Sequence, residues 1–88
     1  MTILKRYEQA EIHFAAAAEI EQDLGAPLLL ARTHASWARA LIARGQREDL
    51  DRAQTMLEQA HDTATHLGAG GITREVAECR TALAAASG

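Results

Sequence analysis

Glycine and proline cut this chain into four long pieces, and that punctuation constrains its fold more than any other feature. Gly25-Ala26-Pro27, Gly45-Gln46-Arg47 and Gly68-Ala69-Gly70-Gly71 separate stretches that carry neither residue. Gly25, Gly45 and Gly68 each follow a segment whose apolar residues recur at helical spacing, where a left-handed residue ends a helix. Pro27 stands where a new helix starts without losing a hydrogen bond. The expectation is an all-α chain, one domain over residues 1–88, with helices at about 3–24, 27–44, 48–67 and 73–86 and Thr73 as the N-cap of the last. Short connections make consecutive helices antiparallel hairpins.

Periodicity assigns the faces of each segment. On the first, Ile3, Tyr7, Ala10, Phe14, Ala17 and Leu24 share a stripe that reads as core. Ile12, Ala16 and Ile20 recur every four residues about half a turn away, at ~100° per residue, so this helix is apolar on two sides. The second carries Leu30, His34, Trp37 and Leu41 beside Ala31, Ala35, Ala38 and Ile42, flanked by Arg32, Ser36 and Arg39. The third turns Leu50, Ala53, Leu57, Ala60, Ala64 and Leu67 inward, with Met56 at the edge and Asp51, Glu58, Asp62 and Thr65 toward water. The fourth aligns Ile72, Val76, Cys79, Leu83 and Ala86.

Composition limits what these helices can bury. A chain of 88 residues hides only about 60% of the surface its unfolded form exposes, so its stability margin is thin. The hydrophobic share is 48%, yet aromatics make up 3%, namely Tyr7, Phe14 and Trp37. An alanine-rich core lets helices approach closely while each contact buries little area.

A formal net charge of -3, with the signs interleaved, gives no electrostatic footprint for nucleic acid or an acidic membrane. Arg32, Arg39, Arg44, Arg47 and Arg52 are the one local basic enrichment. Glu48, Asp49 and Asp51 interrupt it, offering helical pairs such as Arg47 with Asp51 and Glu48 with Arg52, so DNA binding is not expected. The N-terminal Met-Thr-Ile-Leu-Lys-Arg lacks the ~7 to 15 apolar residues of a secretory signal. The uncharged apolar stretches Phe14–Ala18 and Ala26–Ala31 fall short of the ~18 residues that span a bilayer. With a lone cysteine, Cys79, and no internal disulfide to make, the chain reads as soluble and cytoplasmic.

Chemistry-bearing residues do not converge. Two metal ligands on one helix face need a spacing of 3 or 4, whereas His61 and His66 are 5 apart and His13 and His34 lie on different helices, so no metal site is expected. Asp62 and His66 read as a surface pair, and His34 as a packed residue. Cys79, on the stripe with Val76 and Leu83, reads as buried and inert, because burial raises a thiol pKa. No nucleophile sits beside a base, so no catalytic residue, enzyme activity or cofactor is expected.

The chain also repeats itself. Shifted by 43 residues, Tyr7 to Gly25 lies on Leu50 to Gly68, with Ala10 on Ala53, Phe14 on Leu57, Ala17 on Ala60 and Leu24 on Leu67. A shift of 42 lays the second helix on the fourth, with Leu30 on Ile72, Arg32 on Arg74, Ala35 on Ala77, Ala40 on Ala82 and Leu41 on Leu83. Ala10, Phe14 and Ala17, and again Ala53, Leu57 and Ala60, resemble the small-large-small signature on the second helix of a tetratricopeptide (TPR) repeat. Trp37, Ala38 and Leu41, with Gly45 at the turn, resemble its first helix. The unit exceeds the ~34 residues of the standard form, and the turn after Gly45 is longer by Gln46 to Asp49. Longer units of this kind, with Leu-Gly-Ala-Pro and then Leu-Ala-Arg-Thr before the aromatic, resemble the C-terminal repeat region of large bacterial signal-transducing ATPases and LuxR-type transcriptional regulators. That resemblance spans about Tyr7 to Leu83. No phosphate-binding loop occurs and no DNA-reading domain follows before Gly88, so ATPase and DNA-binding activity do not carry over.

What the resemblance implies is a TPR-like right-handed superhelix fragment of four helices that contacts a protein or peptide partner. In such arrays the first helix of each pair lines the concave groove, which nominates Arg32, Ser36, Arg39, Arg74 and Glu78 as partner-binding residues favouring an acidic peptide. Ala35 and Ala77 stand where carboxylate-clamping members carry polar residues, so a C-terminal carboxylate is not the expected ligand. An array of fewer than about three repeats leaves apolar surface uncovered. Ile12, Ala16 and Ile20 are the face expected to pack, either in a homodimer or against a preceding helix of a longer protein. The competing arrangements are a closed, homodimeric four-helix bundle of structural role and a small DNA-binding regulator.

Overall fold

Each of the three breaks closes a helix through a glycine with positive φ, 67° at Gly25, 73° at Gly45 and 71° at Gly68. In the computed structural model, which describes residues 3–87 and the side chains of residues 7–86, they separate α1 (Ile3–Asp23), α2 (Pro27–Arg44), α3 (Arg47–Leu67) and α4 (Gly70–Ser87). No strand occurs among the described residues. The placement of Ile3 in the core stripe lies outside the described side chains.

The closures at Gly25 and Gly68 are the same motif. Gly68 N–H donates to the Thr65 carbonyl (3.3 Å) and Ala69 N–H to Ala64 (2.8 Å), while Gly25 donates to Gln22 (3.1 Å) and Ala26 to Glu21 (3.0 Å). These paired bonds satisfy the carbonyls that a helix end leaves open, and they need a left-handed residue between them.

Thr73 is not the N-cap of α4. The helix starts at Gly70, and the Thr73 hydroxyl instead donates back to the Ala69 carbonyl at 3.2 Å. Burial of Ile72 against the core draws the helix back through both glycines, neither of which takes a positive φ.

The core is assembled from Ala31, Ala35, Ala38 and Leu41 of α2, Ala53, Leu57, Ala60 and Ala64 of α3, and Ile72, Val76 and Cys79 of α4. More than half of these are alanines, which lets α2 and α3 approach closely along their length. No described side chain of α1 belongs to this core; Tyr7, Ala10, Phe14 and Ala17 are half-buried. Leu24 and Leu67, both assigned inward from periodicity, are exposed, as is Ala86. The two leucines stand just before a glycine where the chain reverses, beyond the reach of the neighbouring helix.

α2 is the hub. It packs against α1, α3 and α4, and α3 also packs against α4, whereas α1 and α4 do not meet among the described residues. The helices therefore do not close around one axis. The molecule measures 37 × 29 × 18 Å, about two helices thick. Among the described residues no helix is long and apolar enough to cross a membrane.

Candidate interaction surfaces

Arg32, Ser36 and Arg39 stand on one exposed ridge of α2, and Arg74 and Glu78 are exposed on α4. Among the described residues an ion pair joins only two of the five, Arg39 and Glu78. Arg39 Nη2 lies 3.4 Å from Glu75 Oε1 and 3.9 Å from Glu78 Oε2. Pairs this exposed are screened by water and add little to stability, but they answer the cation on which an acidic ligand would draw. Beneath Arg39 and Glu78 a cleft of about 280 Å³ is floored by Ile42, Ala43, Cys79 and Ala82.

Arg32 and Ser36 border a different groove, between α1 and α2, together with His13, Ala17 and Leu29. The predicted residues thus fall on both flanks of the α2 ridge. Among the described residues Arg32 and Arg74 pair with no carboxylate, and they are the cations this surface leaves available.

Two groups singled out for their chemistry are packed. Cys79 is buried and donates a weak bond to the Ala35 carbonyl at 3.9 Å; burial pushes its thiol up, outweighing the nearby Arg39 guanidinium. His34 is half-buried, and burial holds it below the usual imidazole value although Glu21 opposes the shift. Among the described residues no three His, Cys, Asp or Glu side chains are placed to share a metal ion.

The outer face of α1 is open. Ile12, Ala16 and Ile20 are all exposed. Leu24, whose N–H still bonds the Ile20 carbonyl at 3.0 Å, extends that row by one more turn.

A polar cluster escaped the sequence reading. Asp49, only 3% exposed, accepts two hydrogen bonds from Arg44, Nε to Oδ2 at 2.5 Å and Nη2 to Oδ1 at 2.6 Å. Arg44 Nη2 also reaches Glu11 Oε2 at 3.3 Å, and Glu11 Oε1 accepts from Arg52 at 2.7 Å and from Trp37 Nε1 at 3.3 Å. Arg44 lies over the Tyr7 ring, Arg52 over Trp37, and Phe14 stacks on Trp37 with centroids 6.2 Å apart.

The Arg44 hydrogen bonds hold the Asp49 carboxyl below its usual range despite burial. At Glu11, burial alone would raise the pKa, but the bonds from Trp37 and Arg52 and the two guanidinium charges leave it lowered. The cluster ties α1, α2 and α3 together. Among the described residues every buried side-chain N or O has a partner, so it offers no unpartnered group to a substrate.

This arrangement replaces the surface pairs expected from spacing. Among the described residues neither Arg47 with Asp51, nor Glu48 with Arg52, nor Asp62 with His66 forms an ion pair. Arg52 turns to Glu11 and Asp49, the less hydrated carboxylates, where the attraction is less screened by water. No protein-family model, curated protein or solved structure matches the chain.

Proposed function

We propose that this chain is a non-enzymatic, TPR-like helical-repeat module, a fragment or relative of the repeat region of a bacterial transcriptional regulator, acting in the cytoplasm without a cofactor. In this reading the exposed faces of α2 and α4 are offered to a protein or peptide partner. One observation carries it: α2 packs on α3 and on α1, α4 packs on both α3 and α2, and among the described residues α1 and α4 do not meet. Contacts handed on from one helix pair to the next are what a helical-repeat array needs in order to grow. The matched closures at Gly25 and Gly68 support the same repeat.

A closed homodimeric bundle is disfavoured by the separation of α1 from α4. The DNA-binding reading loses Arg44 and Arg52 to the Glu11 and Asp49 cluster and Arg39 to Glu75, which leaves no coherent positive patch among the described residues. For the groove, the partner that fits is an acidic peptide lying across the α2 ridge, drawn by Arg32 and Arg74.

Fluorescence anisotropy with labelled peptides of about a dozen residues, rich in Glu or rich in Lys, tests this. The acidic peptide should bind more tightly, and Arg32→Glu with Arg74→Glu should weaken it about tenfold, each charge reversal being worth under about 1 kcal/mol at an exposed site. Equal binding of both peptides, or indifference to the double variant, rejects the groove.

A further inference from the structure

Ile12, Ala16, Ile20 and Leu24 stand four residues apart, and the large members are 71%, 59% and 73% exposed in that order. Rows of this spacing are the ridges by which helices interdigitate. Their counterparts on α3, 43 residues on, are Thr55, Gln59, Thr63 and Leu67. α3 is packed by both α2 and α4, yet Thr55 and Gln59 remain exposed and Thr63 only half-buried. A helix preceding α1 in the same array would therefore leave Ile12 and Ala16 uncovered. At Ile12, Ala16 and Ile20, though not at Leu24, the row is apolar where α3 is polar, as a face covered by a neighbour of α1 alone would be.

We propose that this neighbour is a second copy of the chain, whose α1 crosses the first antiparallel about a two-fold axis at Ala16. The row Ile12, Ala16, Ile20 is large, small, large, and reads the same in both directions. A two-fold axis at its centre sets Ile12 of each copy beside Ile20 of the other and lets the helices approach closely at the small residue. The stretch from Ile12 to Ala18 carries no Asp, Glu, Lys or Arg, and Glu19, the one Asp, Glu, Lys or Arg between Ile12 and Ile20, is exposed beside the row and must stay in water at the crossing.

The exposed apolar row amounts to on the order of 400 Å², the size at which a surface patch marks an interaction site. Two such rows together fall below the roughly 1,200 Å² of standard specific interfaces, so the expected dimer is a weak, reversible one. A self-complementary patch closed by a two-fold axis is also the commonest solution among oligomers. This inference does not rest on the peptide groove, and failure of peptide binding leaves it standing.

Sedimentation velocity of the whole chain from about 5 to 500 µM tests it, with Ile12→Glu on the row and Thr55→Glu at the counterpart position. The wild type should pass from monomer to dimer, and Ile12→Glu should weaken the dimer at least about 30-fold, the scale of an interface hot spot. Thr55→Glu should change nothing, and circular dichroism should show equal helicity in all three. Independently, Ala16→Cys should form a disulfide-linked dimer under mild oxidation while Thr55→Cys does not. A chain monomeric throughout, which would point to a partner of different sequence, overturns the proposal. So does a dimer indifferent to Ile12→Glu, or one whose Ala16→Cys variant fails to cross-link.

Discussion

At the scale of single residues, the Asp49 carboxylate and the Arg44 fork meet across the Gly45-Gln46 turn, both largely out of water. Removing the Asp49 carboxylate costs Arg44 its bidentate partner and leaves it largely buried with only the longer 3.3 Å contact to Glu11, so Asp49→Ala should lower unfolding stability by about 2 kcal/mol, read by urea denaturation. Arg44→Lys keeps the charge but loses the bidentate fork, and should recover only part of that loss.

The pH dependence has one sign throughout. Asp49 and Glu11 titrate lower in the folded chain, so their stabilisation is present above the ordinary carboxylate range and is lost as pH falls below it. His34 is also lowered, because burial favours neutral imidazole; its protonation below the ordinary value of 6.5 likewise favours the unfolded chain. The Tm should fall in two steps, shallow through pH 6 and steep below pH 4. Asp49→Asn should flatten the second step, and a Tm that rises on acidification would contradict the assignment. At Gly68, alanine must adopt the left-handed conformation, at a cost of about 1 to 2 kcal/mol measurable by thermal unfolding.

At the scale of elements, α1 is held differently from the other three helices. It is fastened by the Phe14 and Trp37 stack, by Glu11 in the polar cluster, and by the Thr33 hydroxyl donating to Glu21 at 2.5 Å, with none of its described side chains in the core. Fewer buried apolar contacts make it the first element to open. In native-state hydrogen exchange, Phe14→Ala should raise the exchange of amides 10–20 at least about tenfold while those of Ala53 to Ala64 stay protected; equal acceleration in both would deny α1 its independence.

The helix count and most of the boundaries were legible from glycine and the apolar period, because both report local backbone demands. The start of α4 was not, since burial of Ile72, a tertiary effect, outweighed the turn signal of Gly70 and Gly71. Nor was the Arg44 and Asp49 pair, whose partners straddle a turn at a spacing that no helical rule selects; a base just before a glycine turn and an acid just after it is the one local sign of it. The exposed row on α1 was legible because a second apolar stripe is visible in spacing alone. What spacing could not say is that the equivalent row on α3 lies on the outside.

At the scale of the whole molecule the helices pack in an open order: α2 touches every other helix, and among the described residues α1 and α4 do not meet. From that order come both the ridge of Arg32, Ser36 and Arg39 beside Arg74 and the uncovered row on α1. A closed bundle would bury the row against α4 and leave no extended face for a partner. Methyl-resolved nuclear Overhauser spectroscopy on the intact chain, dilute enough to remain monomeric, tests this order directly. Contacts between Ala35 and Cys79, bonded across α2 and α4, should be present, and none should join Ile12, Ala16 or Ile20 to Ala82 or Leu83. Cross-peaks between those residues of α1 and α4 would mean a closed bundle, and would contradict the repeat reading at its root.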